Sequence, residues 1–228
     1  MELSDRNAGC LLGLACGDAV GTTVEFQSRD SFEPVTDMVG GGPFCLQPGQ
    51  WTDDMSMALC LADSLIDCQG FDARDQIELY INWYDIGLNS STGECFDIGN
   101  TVRRALNSYR ETGNPLSGSQ EAQSSGNGSL MRLAPVPMAY QHDHELAIEM
   151  SVESSKTTHG SADCLSSCGH LASVILRALS GETDKAAVLE PHEKHTYTDK
   201  ILQIANGSFK GKSEDEIRGS GWCVESLE

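Results

Sequence analysis

The 228-residue chain carries 34 acidic against 15 basic side chains, a formal charge of −19. That charge repels phosphate backbones and anionic lipid, which excludes nucleic acid and membrane as partners and leaves any small anionic ligand dependent on local help from a metal, an arginine or helix N-termini. No apolar run is long enough to span a bilayer, the first five residues lack the basic and apolar regions of a signal peptide, and the nine cysteines are scattered without a Cys-x-x-Cys, so the expectation is a cytoplasmic protein with reduced thiols.

Helical patterns recur along the chain and strand patterns hardly appear. Ser4 is placed to cap a first helix bearing Cys10, Leu11, Leu14 and Ala15, which turns at Gly17-Asp18-Ala19-Val20-Gly21 and gives way to a Pro/Gly-rich loop over 34–49. Met55, Ala58, Leu59, Ala62, Leu65 and Ile66 recur at helical offsets, so a second helix opens at Thr52-Asp53-Asp54 and stops near Gly70. Asp72 starts a third, with Ile77, Tyr80, Ile81 and Tyr84 on one side. A fourth runs from about Asn100, with Val102, Ala105, Leu106 and Tyr109 inward and Gly113 as its stop. After a polar loop, Asp143 caps a helix with Leu146, Ala147 and Met150, and Ser161 begins one with Leu165, Cys168, Ala172, Ile175, Leu176 and Leu179. Thr198 caps a further helix, Ser213-Glu214-Asp215-Glu216 has the form of a capping box, and Trp222 to Glu228 reads as the opening of a helix. The fold expected is an all-α, single-domain helical bundle over residues 1–228.

Several segments carry chemistry beyond helix formation. Asp53 and Asp54 exceed what one helix cap requires; with the Thr52 hydroxyl they offer hard oxygens at one rigid point, which suits Mg²⁺ or Mn²⁺ better than zinc. Glu25 follows a glycine-flanked turn and, taken alone, reads as a solvated surface acid. In Gly126-Asn127-Gly128-Ser129-Leu130-Met131-Arg132 two glycines allow close backbone approach, and a helix starting at Ser129 would hold a phosphate, with Arg132 as a fixed cation. The competing reading is an ordinary turn with Arg132 in an internal salt bridge. Gly99-Asn100 is a plausible helix cap, and His159, just before a long apolar helix, has no visible partner as a base.

Taken in order, Gly9-Cys-Leu-Leu-Gly-Leu-Ala-Cys-Gly-Asp-Ala-Val-Gly, Gly49-Gln-Trp-Thr-Asp-Asp-Met, Asp97-Ile-Gly-Asn-Thr, Gly126-Asn-Gly-Ser-Leu-Met-Arg and Thr158-His-Gly resemble the ADP-ribosylglycohydrolase family, which includes the dinitrogenase reductase-activating glycohydrolase. The resemblance covers Gly9 to about Leu179 well. It implies an orthogonal all-α bundle, a binuclear Mg²⁺ or Mn²⁺ centre, and metal-dependent hydrolysis of the bond joining ADP-ribose to a protein side chain. On matching positions it implies Thr52, Asp53 and Asp54 as metal ligands and Glu25 or Asp53 as the proton-transferring carboxylate. Gly99, Asn100, Asn127, Gly128, Ser129, Met131, Arg132 and His159 would line the ADP-ribose groove. The partners implied are ADP-ribose and an ADP-ribosylated protein. The family's later Asp-x-Asp-Thr metal segment has no counterpart; Thr183-Asp184 lacks the paired acid. The expectation is therefore a chain incomplete on its C-terminal side, or else a non-catalytic ADP-ribose-binding or structural relative.

Overall fold

The computed structural model describes residues 2–228 and is all-α, with ten helices and no sheet among those residues. They are α1 (Leu3–Gly21), α2 (Asp53–Asp67), α3 (Ala73–Ile86), α4 (Asn100–Thr112), α5 (Pro135–Ala139), α6 (His144–Lys156), α7 (Ala162–Ser180), α8 (Lys185–Leu189), α9 (Asp199–Ala205) and α10 (Cys223–Leu227). None of them is long and apolar enough to cross a membrane.

Local chemistry sets most of the helix starts. The Asp72 carboxylate accepts from the backbone N–H groups of Arg74 and Asp75, Asp143 accepts from Leu146, and the Ser161 hydroxyl accepts from Cys164. Each satisfies donors that a helix start leaves unpaired. Gly113 ends α4 in the left-handed conformation, φ 70°, a geometry glycine adopts without a Cβ penalty.

Four expectations change. First, α1 begins before Ser4, where the Glu2 N–H donates to the Asp5 carboxylate at 3.2 Å, and it continues through 17–21 without turning. The glycines there lower helix propensity but do not forbid helix. Second, α2 is enclosed by α1, α3 and α5, so Met57, Cys60, Leu61 and Ser64 are buried as well, while Ile66 lies 72% exposed at the open end. Third, no helix begins at Ser129: residues 128–132 form turns, and the next helix is the short α5, with Pro135 at its start. Fourth, the Thr198 hydroxyl caps nothing and is buried without a partner.

The helices surround two adjoining apolar cores. Met57, Leu61, Ile77, Tyr80, Trp83 and Leu106 bring α2, α3 and α4 together, with Val136 of α5 beneath them. Leu130, Leu133, Ala147, Ile148, Ala172 and Leu176 join the second core between α6 and α7. Tyr140 touches both. Full burial of a side chain such as Leu106 contributes about 2 kcal/mol, so the first core holds the N-terminal ends of α2 and α4 in fixed relation.

Candidate active site

The start of α2 is capped from another helix. Asp18, on the last turn of α1, accepts from the Thr52 N–H at 2.9 Å, the Met55 N–H at 3.0 Å and the Thr52 hydroxyl at 2.8 Å. Thr52 occupies the N-cap position, yet its side chain makes no cap bond of its own. With Asp18 performing the capping, Asp53 and Asp54 on the first turn are released from that duty. The 3₁₀ turn Thr22–Val24 then brings Glu25 back to the same place, where the Thr22 hydroxyl donates to its carboxylate at 3.4 Å. Gly42 lets the 40–46 loop close over this turn: a Cβ there would stand 2.3 Å from the Thr22 carbonyl oxygen, at φ 65°. Asp97, three residues before α4, completes the group.

Five carboxyls therefore meet: Asp18, Glu25, Asp53, Asp54 and Asp97. Burial raises Asp18 above the ordinary carboxyl range, against its hydrogen bonds from Met55 and Thr52. Burial first, then the charges of Asp54 and Asp97, lift Asp53 well above it. Asp54 is pushed up to about 7 by burial and by Asp18 and Glu25, and Asp97 to about 7 by burial and by Glu25. Glu25 is raised by burial, against hydrogen bonds from Asp97 and Thr22. No Lys or Arg forms an ion pair with any of the five among the described residues.

The acids act on one another's titration, Asp53 on Asp54 and Asp97, and Glu25 on Asp97. No three His, Cys, Asp or Glu side chains among the described residues stand in a ready-made ligating array. The donor chemistry nevertheless fits a divalent cation: several hard oxygens, partly buried, mutually repelling and without a counter-charge.

The glycine turn lies across the first turn of α4 from these acids. A Cβ at Gly126 would stand 3.7 Å from the Thr101 hydroxyl, and one at Gly128 3.3 Å from a Val102 methyl. Gly99 and Asn100 are exposed at the start of α4, where Asn100 accepts weakly from Arg103. The Asn127 N–H donates to the Gly221 carbonyl at 2.9 Å, and its own carbonyl accepts from Leu130 and Met131 at 2.7 and 3.0 Å. Those two N–H groups are consequently committed to the turn. The expected helix N-terminus for a phosphate is absent because the segment closes on itself.

Four groove candidates point inward. Arg132 is 1% exposed: its guanidinium lies 4.4 Å over the Tyr80 ring and donates to the Thr158 hydroxyl at 2.6 Å and to the Met57 sulfur at 3.7 Å. It is neither a free cation nor half of a salt bridge. The Thr158 hydroxyl accepts from Arg132 and shares a second hydrogen bond, 2.8 Å long, with Nδ1 of His159. Burial, then the Arg132 charge, lowers His159 to about 3 and keeps it neutral. Its ring supports the turn from below, 2.8 Å from where a Gly128 Cβ would be. Ser129 is buried and accepts from the Ser155 hydroxyl at 2.8 Å, and Met131 packs against the first core.

Asp18 and Asp97 are the members that sequence reasoning left out of the site. Both stand inside the segments singled out there, but a carboxylate that reaches across to another helix has no local signature.

Comparisons with known proteins show the family. The ADP-ribosylglycohydrolase family model matches residues 1–228. The chain is 44% identical to ADP-ribosylarginine hydrolase Tri1 of Pseudomonas putida (strain GB-1), over 98% of this chain and 60% of the relative. It is 42% identical to the protein of the same name from Serratia proteamaculans (strain 568), over 100% and 61%. The ADP-ribosyl-[dinitrogen reductase] glycohydrolase of Rhodospirillum rubrum is 37% identical over 60% of this chain and 46% of its own length. A solved structure described as an ADP-ribosylglycohydrolase-related protein complex superposes with a TM-score of 0.85 at 38% identity, covering 99% of this chain and 74% of that one. The chain thus spans about 60% of the length of the two hydrolases called Tri1. By the match along its whole length and by these relatives, the chain belongs to the ADP-ribosylglycohydrolase family.

Proposed function

We propose that the protein hydrolyses the N-glycosidic bond between ADP-ribose and an arginine side chain of a modified protein, with Mg²⁺ or Mn²⁺ at the five-carboxyl cluster. The observation that carries this reading is the cluster itself, gathered from α1, α2 and two loops with no balancing cation. The arginine linkage is supported by the name of the two relatives at 44% and 42% identity. The nine cysteines, all unpaired, suit a reducing compartment such as the cytoplasm.

Thr52, Asp53 and Asp54 would hold the metal, with Asp18 fixing Thr52 and Asp97 adding a further oxygen. A bound dication would supply polarisation of the ribose hydroxyls and of a water beside the anomeric carbon. The residues of the chain account for the rest. Glu25, half-buried at the edge of the cluster with a raised pKa, accepts the water's proton as its oxygen bonds to the anomeric carbon; Asp53 is the alternative acceptor. The C–N bond breaks as the sugar gains oxocarbenium character, and its electron pair leaves with the guanidine. Asn127 and Gly128 hold the glycine turn where it can pass along the ADP-ribose, braced beneath by His159 and Arg132.

The test is release of ADP-ribose from an arginine-modified protein. Release is expected with Mg²⁺ or Mn²⁺, none with EDTA, and at least a hundredfold loss, on the order expected for removing a group central to the chemistry, in Asp53→Ala and Asp54→Ala. Release that persists in EDTA, or undiminished activity in both variants, contradicts the proposal.

A further inference from the structure

Beside the carboxyl cluster stands a row of three phenylalanine rings. Phe26 meets Phe44 edge-on, 6.2 Å between centroids and 72° between planes, and Phe44 meets Phe96 at 5.1 Å and 59°. The row joins three separate segments. Phe26 follows Glu25, Phe96 precedes Asp97, and Phe44 lies in the loop closed by Gly42. Both ends of the row therefore sit one residue from a cluster carboxyl, Glu25 at one and Asp97 at the other.

Two features separate this row from ordinary packing. Phe26 is 78% exposed, more than any other large hydrophobic residue among the described ones, although its ring packs against Phe44. An aromatic ring held by one neighbour and otherwise largely exposed is positioned for a ligand without being covered by the protein. Each ring also has a left-handed backbone at or beside it: Phe26 at φ 61°, Cys45 at φ 54° and Asp97 at φ 58°. None of these is glycine. Such conformations cost on the order of 1–3 kcal/mol each and persist where the surroundings over-determine them, commonly at ligand sites.

We propose that the exposed ring of Phe26 is the subsite for the guanidinium of the modified arginine, making Phe26 a determinant of arginine-linked over hydroxyl-linked substrates. This rests on the hydrolase reading given above. A guanidinium is planar, weakly hydrated and stacks on aromatic faces. The net charge of −19 on the chain favours a cation over an anion at an exposed ring. A serine-linked ADP-ribose places no positive charge there and gains nothing from the ring. Phe44 and Phe96 serve as positioning residues, holding the outer ring and tying the Glu25 segment to the Asp97 segment.

Two readouts keep the test separate from the hydrolase reading. In steady-state assays on arginine- and serine-linked ADP-ribosyl peptides, Phe26→Leu is expected to raise KM for the arginine peptide about three- to thirty-fold more than for the serine peptide, the range of one cation–π contact. Phe26→Tyr keeps the ring face and restores the preference. A merely structural role would move both substrates together, and that result overturns the inference while leaving the hydrolase intact. Ligand-observed NMR with agmatine, an alkyl guanidinium without ADP-ribose, needs no turnover. Saturation transfer from the wild type that is lost in Phe26→Leu and kept in Phe26→Tyr supports the subsite even if no ADP-ribose is released. Equal transfer in all three proteins, or none in any, overturns it.

Discussion

Asp54 titrates where its contribution to stability can be read directly. Burial and the charges of Asp18 and Glu25 raise it to about 7, against about 4 for an unfolded chain. Between those two values the native state binds more protons than the unfolded state, so this residue's contribution to stability falls as pH rises from about 4 to 7. Asparagine at the same position carries no such penalty. In EDTA, urea unfolding is expected to show Asp54→Asn level with the wild type near pH 4 and more stable at pH 8, on the order of 2 kcal/mol. A wild type that matches or exceeds the variant at pH 8 would show that burial and the neighbouring carboxyls do not raise Asp54. His159 works in the opposite direction: held near 3, it resists protonation in the fold, so its contribution is lost as pH falls below about 6.5. Comparing variant with wild type removes that common term.

Among the elements, the glycines of α1 and those of the 126–128 turn give opposite expectations from one substitution. A Cβ at Gly13 meets nothing within 4 Å and the backbone there is helical, so Gly13→Ala is expected to stabilise by about 0.5–1 kcal/mol. A Cβ at Gly128 meets the His159 ring at 2.8 Å, so Gly128→Ala forces that ring or the turn to move and costs about 1–3 kcal/mol. Thermal or urea unfolding of the two variants checks both signs. The elements also show what the sequence made legible. The span of α4, its inward face and its Gly113 stop are all local properties, and each was readable. So was the pairing of Asp53 and Asp54 at the mouth of α2. The fate of Arg132 was not, because its partners Tyr80, Thr158 and Met57 come from three other elements. Asp18 was hidden for the same reason: a glycine-rich stretch reads locally as a turn, whereas the continuous helix carries that carboxylate to another helix's N-terminus.

Across the whole molecule, two apolar cores hold α2 and α4 so that their N-terminal ends open toward one acidic locus, in a chain whose net charge already disfavours further acid. The sequence made the all-α class and the family legible through ordered motifs, but not the convergence of five carboxyls, which depends on how α1 crosses α2. An assembly of this kind is expected to gain stability from a dication, because a cation that binds only the native cluster shifts unfolding by mass action. The most direct test is Mn²⁺ binding to the metal-free protein, followed by electron paramagnetic resonance and calorimetry alongside Asp53→Asn and Asp54→Asn. The account predicts saturable Mn²⁺ binding by the wild type, displaced by Mg²⁺ and abolished or greatly weakened in both variants. Mn²⁺ binding of equal affinity and stoichiometry in all three proteins, or none by the wild type, would contradict it.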